Sequence, residues 1–93
     1  MTENVTFALE ESIDISVVEK LHERLSEVSP DEKGVRIGAS SVSRVDTAAF
    51  QLLYSYQQAM EAKEFPVVFV NPSTTFMENA TLLGMHEVLH IEQ

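Results

Sequence analysis

The alternation of apolar and polar residues divides the chain into strands and helices in turn. In residues 5–9 every second residue is apolar, which predicts a strand with one buried face. A capping-box pattern at Ser16 and Glu19 then precedes apolar residues at helical spacing. We therefore expect a first helix that runs to about Val28.

The middle of the chain predicts a buried strand followed by a long helix. From Val35 onward the residues are Val, Ile, Ser and Ala without a helical stripe, which is typical of a buried strand. Asp46 is a good N-cap for a second helix that ends near Lys63. The apolar arc of this helix consists of Ala49, Leu52, Leu53, Tyr56 and Met60.

The last third predicts another strand and a short helix. Val67 to Val70 is a continuous apolar run, which suits a central strand covered on both faces. Asn71 and Ser73 are both capable N-caps for a third helix, and Gly84 is placed to be its C-cap. Residues 88–91 fit either a final strand or a docked coil.

This order predicts a single α/β domain over residues 1–93. Its elements follow β-α-β-α-β-α with an optional last strand, so we expect a mainly parallel or mixed central sheet flanked by helices. Ninety-three residues are too few for two separate cores. Functional sites in such folds gather at the carboxyl ends of the strands.

Composition narrows the classes of function. Six Lys and Arg against fifteen Asp and Glu give a net charge of -9, which disfavours nucleic acid as a partner. The absence of cysteine excludes disulfides and suits a reducing cytoplasm, and no segment is long and apolar enough to predict membrane insertion. We therefore expect a cytoplasmic protein.

Motifs for catalysis, cofactors and metals are absent. The three glycines are too dispersed for a phosphate-binding loop, so no cofactor is expected. His86 and His90 could meet on one face, but a metal site would need further ligands. Thr47 has no neighbouring histidine to act as its base. We predict no metal site, no catalytic residue and no enzymatic activity.

The start of the second helix carries the candidate site. Thr47, Phe50 and Tyr54 lie away from the predicted apolar arc, which would place a hydroxyl and two aromatic rings on an outward face. Outward aromatic side chains are typical of protein-binding surfaces. The alternative is that Phe50 or Tyr54 packs against a neighbouring helix.

The central part of the chain resembles the STAS domain, the family of the anti-sigma-factor antagonists. The resemblance rests on four pieces in order: the turn 46–49 (DTAA), the strand Val67 to Val70, the turn 71–73 (NPS) and the segment 83–85 (LGM). Ala49 stands where the family's turn has glycine, and Gly38 stands where an acidic residue is frequent. The resemblance implies a non-enzymatic regulator that binds a protein partner.

The family also implies particular partners. By resemblance, a serine/threonine kinase or anti-sigma factor would bind at Asp46, Thr47, Phe50 and Tyr54, phosphorylation of Thr47 would switch binding off, and a phosphatase would reset the cycle. The alternative is a constitutive subunit of a bacterial lipid-trafficking ABC transporter or of a chemotaxis or biofilm signalling complex.

Overall fold

The computed structural model describes residues 5–30 and 34–92. Within these ranges strands and helices alternate along the chain. The strands are β1 (Phe7–Ala8), β2 (Ser12–Ile13), β3 (Val35–Gly38), β4 (Arg44–Val45), β5 (Val67–Val70) and β6 (Ile91–Glu92). The helices are α1 (Val18–Ser26), α2 (Thr47–Ala62) and α3 (Thr74–Leu82), and short 3₁₀ turns cover Ile15–Val17 and Met85–Glu87.

The strands form one main sheet and one small pair. The main sheet has the order β1-β3-β5-β6, and β2 pairs separately with β4. Each of these pairings is parallel, because helices or turns return the chain to the same edge between strands. The predicted α/β class and parallel sheet are confirmed. The tail, for which two readings were open, contributes β6 as a strand beside β5.

Three aromatic rings from different elements join the helices to the sheet. The ring of Phe76 in α3 lies 5.2 Å from that of Phe50 in α2 and 6.0 Å from that of Phe69 in β5. All three side chains are fully buried. Buried aromatic pairs stabilise a core beyond their area alone. The start of α2 and the start of α3 are therefore packed as one unit.

The second helix buries part of the predicted arc together with two residues outside it. Its buried residues are Ala49, Phe50, Leu53, Gln57 and Met60. Leu52 and Tyr56, which the wheel places in the apolar arc, are only partly buried and line a cleft with residues of α1. The helix therefore has two apolar sides, one toward the sheet and one toward α1, and spacing alone does not rank them.

Gln57 occupies a core position because both ends of its amide are paired. Its Nε2 donates to the carbonyl of Val88 at 2.8 Å, and its Oε1 accepts from the N–H of His90 at 3.0 Å. A buried amide with both groups satisfied avoids the cost of an unpaired polar group. The side chain thus fastens the segment before β6 to α2.

The start of the first helix also differs from prediction. Asp14, not Ser16, is the N-cap, because its carboxylate accepts from the Ser16 N–H at 3.0 Å and starts the 3₁₀ turn. The helix α1 begins only at Val18 and has no side-chain cap bond. The capping box of Ser16 and Glu19 is therefore wrong, since the chain is already turning at these residues.

The predicted boundaries of α2 and α3 agree with the structure, whereas α1 ends at Ser26, before the predicted end near Val28, and β1 covers only Phe7–Ala8 of the predicted 5–9. Asp46 caps α2, which ends at its C-cap Lys63, and Ser73 rather than Asn71 caps α3. Gly84 follows the C-cap of α3 with a φ of 72°, a left-handed conformation that glycine adopts without strain. These signals are local, which is why they could be read without the tertiary structure.

Candidate functional site

One carboxylate organises the start of α2. Oδ1 of Asp46 accepts from the Ala49 N–H at 3.1 Å, which is the expected cap of the helix. Oδ2 accepts from the N–H of Ile15 at 2.9 Å. The pairing of β2 with β4 brings these two segments together, with Ile13 opposite Val45. Asp46 therefore holds the first 3₁₀ turn against the beginning of α2.

Thr47 is the first residue of α2 and is exposed, as predicted. Its hydroxyl forms no hydrogen bond within the described part of the chain, whereas the neighbouring carboxylate is occupied on both oxygens. The hydroxyl is thus presented to solvent from a backbone that is fixed by Asp46. Such a group is accessible to a protein partner or to a modifying enzyme.

The predicted outward position of Phe50 is wrong. Its side chain has no exposed surface and packs against Phe76 in the core. The physical reason is that the sheet and α3 cover the side of α2 that includes Phe50, so that the alternative of packing against a neighbouring helix holds for this residue. Phe50 lies in the core beneath the start of α2 and exposes no surface that a partner could contact.

The side chain of Tyr54 is neither fully on the outward face nor fully packed against a neighbouring helix. Its side chain is partly buried and packs against the core, while its hydroxyl accepts a hydrogen bond from Nε2 of Gln58 at 3.1 Å. The polar end of the ring is therefore directed to the surface. Of the predicted outward set, Thr47 is exposed and Tyr54 is exposed in part.

Ile15 is a surface residue that the sequence analysis did not select. Its side chain is 74% exposed although it is large and apolar, and its N–H is bound to Asp46. An exposed apolar side chain on a fixed backbone is well suited to insertion into a partner's pocket. The signal in the sequence was an isoleucine directly before a helix start, where no apolar stripe requires it.

Charge near this surface is mainly negative. The pKa of Asp14 is held below its ordinary value of 3.8, first by the hydrogen bond from the Ser16 hydroxyl and further by the Ser16 N–H and by Arg44. The distance from Nε of Arg44, on β4, to Oδ2 of Asp14 is 3.8 Å. Two carboxylates, those of Asp14 and Asp46, thus cap the two turns that meet here.

His86 and His90 lie beside two different carboxylates and not together at one site. Nδ1 of His90 lies 2.8 Å from Oε2 of Glu61, and Nε2 of His86 lies 4.0 Å from Oε2 of Glu87. Across residues 5–30 and 34–92, no group of three or more His, Cys, Asp or Glu side chains is arranged to hold a metal ion. No helix in these same ranges has the length and apolar character needed to cross a bilayer.

Comparison with known proteins identifies the family. A family model described as "Mlab, STAS domain" matches residues 2–91 of the 93-residue chain. No curated protein matches the chain. The match covers nearly the whole sequence and agrees with the parallel α/β fold and with the sequence resemblance. STAS domains are generally non-enzymatic and typically mediate protein–protein interactions. The chain therefore belongs to the STAS domain family.

Proposed function

We propose that this chain is a cytoplasmic regulator of the anti-sigma-factor antagonist type, which binds a serine/threonine kinase or anti-sigma factor at the start of α2. The observation that carries the proposal is the exposed hydroxyl of Thr47 on a helix start that Asp46 fixes from both sides. Ile15 supplies apolar surface on the same fixed turn. Asp46, Thr47, Ile15 and the edge of Tyr54 form the contact surface.

Phosphorylation of Thr47 switches this surface off, and a phosphatase restores it. A phosphoryl group adds nearly two negative charges. The Ala49 and Ile15 amides already bind Asp46, so these two donors cannot neutralise a phosphate on Thr47. The added charge also lies next to the Asp46 carboxylate on a chain of net charge -9. The uncompensated charge therefore acts on the partner, through desolvation and repulsion.

A kinase assay with a matched control tests the switch. A serine/threonine kinase-like protein of the class that the family resemblance implies is incubated with the chain and ATP, and the phosphate is mapped by mass spectrometry. Thr74 is the control, because it is also exposed and also the first residue after an N-cap. We expect modification of the wild type and of Thr74→Ala, and none of Thr47→Ala. A phosphate at another residue would contradict the proposal.

Binding measurements test the surface itself. By isothermal titration calorimetry with the same kinase-like protein, Thr47→Glu and Ile15→Ser should each weaken binding by about 1 kcal/mol or more, as interface anchors do. Thr74→Glu, at the corresponding position of α3, should leave affinity unchanged. Equal affinities for all variants would show that the surface lies elsewhere.

The second candidate is a constitutive subunit of a bacterial lipid-trafficking ABC transporter or of a chemotaxis or biofilm signalling complex. The carboxylate of Asp46 beside Thr47, together with Ala49 in place of the family's glycine, favours contact without phosphorylation. In this case Thr47→Ala retains binding to the ATPase subunit or signalling partner and no phosphate is found. Thr47→Glu still weakens the complex, so the two candidates differ in the kinase assay.

A further inference from the structure

The end of α3 carries the most exposed large apolar side chain in residues 5–30 and 34–92. This side chain is Leu82, the last residue of the helix, which is 82% exposed. Leu83, directly after it, is 43% exposed. The residues of α3 that pack into the core are Phe76 and Ala80, so Leu82 does not contribute to the core. Apolar side chains that are exposed together mark interaction sites.

Leu82 belongs to an open cleft on the surface of α3. The cleft has a volume of about 450 Å³ and is lined by Met77, Glu78, Thr81 and Leu82. All four residues come from one helix, so the cleft does not enclose a small molecule as ligand pockets do. Glu78, Thr81 and Leu82 are at positions i, i+3 and i+4, so they form one ridge along the helix, the α3 ridge. A ridge of this kind packs into the groove of another helix.

The outer face of α1 shows what a solvated helix looks like in this chain. Its exposed positions include charged residues of both signs and no large apolar side chain. Such a face needs no partner. The helix α3, in contrast, has one charged residue, Glu78, which forms no ion pair within the described part of the chain. The α3 ridge therefore combines an exposed leucine with an exposed carboxylate that has no counter-charge.

Charge decides which occupant this ridge favours. A second copy packed through the same ridge would bring the two Glu78 carboxylates together, on two chains that each have a net charge of -9. An uncharged partner would desolvate Glu78 without giving it a counter-charge. A partner that places Lys or Arg beside Glu78 avoids both costs. The helix α3 has no Lys or Arg of its own, so this cation has to come from the partner.

We propose that the α3 ridge docks a basic amphipathic helix of a partner protein. Apolar side chains of that helix cover Leu82 and Met77, and one of its Lys or Arg residues pairs with Glu78. The α3 ridge is toward the end of its helix, whereas Thr47 is at the start of α2. This docking site is therefore additional to the partner surface at Thr47 and does not rest on the proposed function.

Two synthetic peptides of opposite charge test the docking site. The probe consists of LKKLLKL repeats, which give a helix with one apolar and one basic face, and the control has Glu in place of each Lys. Binding to the full chain is followed by amide chemical shifts in NMR at fixed salt and neutral pH. We expect saturable binding of the basic peptide with the largest shifts in α3, and no saturable binding of the acidic peptide.

Three substitutions at exposed positions, where the fold is retained, separate the α3 ridge from the net charge of the chain. Leu82→Ser should weaken binding of the basic peptide about tenfold or more, because the burial of a leucine side chain is lost. Glu78→Lys should weaken it about threefold or more, because an ion pair becomes a repulsion. Glu23→Lys on α1 changes the net charge by the same amount, and it should change the affinity by less than about twofold.

Absence of saturable binding of the basic peptide would overturn the proposal. Equal binding of both peptides, the largest shifts in α1, unchanged affinity of Leu82→Ser, or equal effects of Glu78→Lys and Glu23→Lys would do so as well. Analytical ultracentrifugation of the chain alone tests the other occupant, because a dimer that Leu82→Ser dissociates would assign the α3 ridge to a second copy. None of these results depends on modification of Thr47, so the proposed function is tested separately.

Discussion

The helices α2 and α3 begin in the same way but present different surfaces. Each starts with an N-cap whose side chain accepts a backbone N–H three residues later, at 3.1 Å for Asp46 and Ala49 and at 3.0 Å for Ser73 and Phe76. Each is followed by an exposed threonine, Thr47 or Thr74. The local geometry of the two starts is therefore nearly equivalent.

The two N-caps differ in the second hydrogen bond that each side chain forms. The other oxygen of Asp46 accepts from Ile15, so a charged group fixes a turn that carries an exposed apolar side chain. Ser73 instead donates its hydroxyl to the carbonyl of Val42, a neutral bond to a buried residue. The same capping motif thus supports a surface at α2 and closes the core at α3. A capping sequence alone does not indicate which of the two roles it has.

The largest expected effects on the free energy of unfolding come from Phe50 and Phe76, the aromatic pair beneath the starts of α2 and α3. Phe50→Ala and Phe76→Ala should each lower the free energy of unfolding by about 3–5 kcal/mol, because each leaves a cavity in the core. The coupling energy in a double-mutant cycle should be about 0.5–1.5 kcal/mol. Urea denaturation measures these values. Tyr54→Ala is the control and should cost less, and a Phe50→Ala effect as small as that control would restore the outward placement of Phe50.

The next largest losses in the free energy of unfolding are expected for substitutions at the helix caps. Asp46→Ala should cost about 2–3 kcal/mol, because two backbone donors lose a charged acceptor, and Ser73→Ala about 1–2 kcal/mol. Asp46→Asn should fall between the wild type and Asp46→Ala, since one amide oxygen can still cap the helix. Thermal and urea unfolding give the comparison. Identical losses for Asp46→Ala and Ser73→Ala would mean that the charged cap with its bond to Ile15 contributes no more than the neutral cap with its bond to Val42.

The 3₁₀ turn capped by Asp14 and the start of α3 capped by Ser73 should also differ in their response to pH. Folding lowers the pKa of Asp14 below 3.8, so its cap contributes stability above that pH and loses it as pH falls through the lowered pKa. We expect the amide shift of Ser16, whose N–H donates to Asp14, to move in this range while that of Phe76, capped by a hydroxyl, stays constant. In Asp14→Asn the movement at Ser16 should vanish. Parallel movement of both amides would indicate global unfolding instead.

The smallest effects on stability are expected at the two threonines. Thr47→Ala and Thr74→Ala should each change the free energy of unfolding by less than about 0.5 kcal/mol, because both are exposed first-turn residues. Urea denaturation of the two variants checks this. A loss well above this range for Thr47→Ala would mean that its hydroxyl supports the fold, and binding defects at this residue would then have a structural cause.

The strongest local signals in the sequence predicted most of the elements. The strand Val67–Val70, the cap at Asp46 with its helix to Lys63, and the turn at Gly84 all agree with the structure. Each depends on neighbouring residues in the chain, such as a continuous apolar run or a side chain that bonds its own helix. The resemblance to the family rested on the residues at these elements, taken together with the order in which they follow one another.

Some features followed from contacts between distant residues. Phe50 is buried because α3 brings Phe76 to it, and Gln57 is buried because the tail supplies a donor and an acceptor for its amide. The bond from Ile15 to Asp46 joins residues that are far apart in sequence. A helical wheel describes one helix in isolation and contains no information about such partners.

The sequence by itself therefore predicted the α/β class, a mainly parallel or mixed sheet and the position of Thr47 at the start of a helix. Only the tertiary structure decided which side of α2 faces the sheet, that Ile15 belongs to the candidate surface, and that Leu82 lies exposed at the end of α3. The physical reason is that helix caps and strand patterns are set by local hydrogen bonding and spacing. The burial of a particular side chain depends instead on what the rest of the chain places against it.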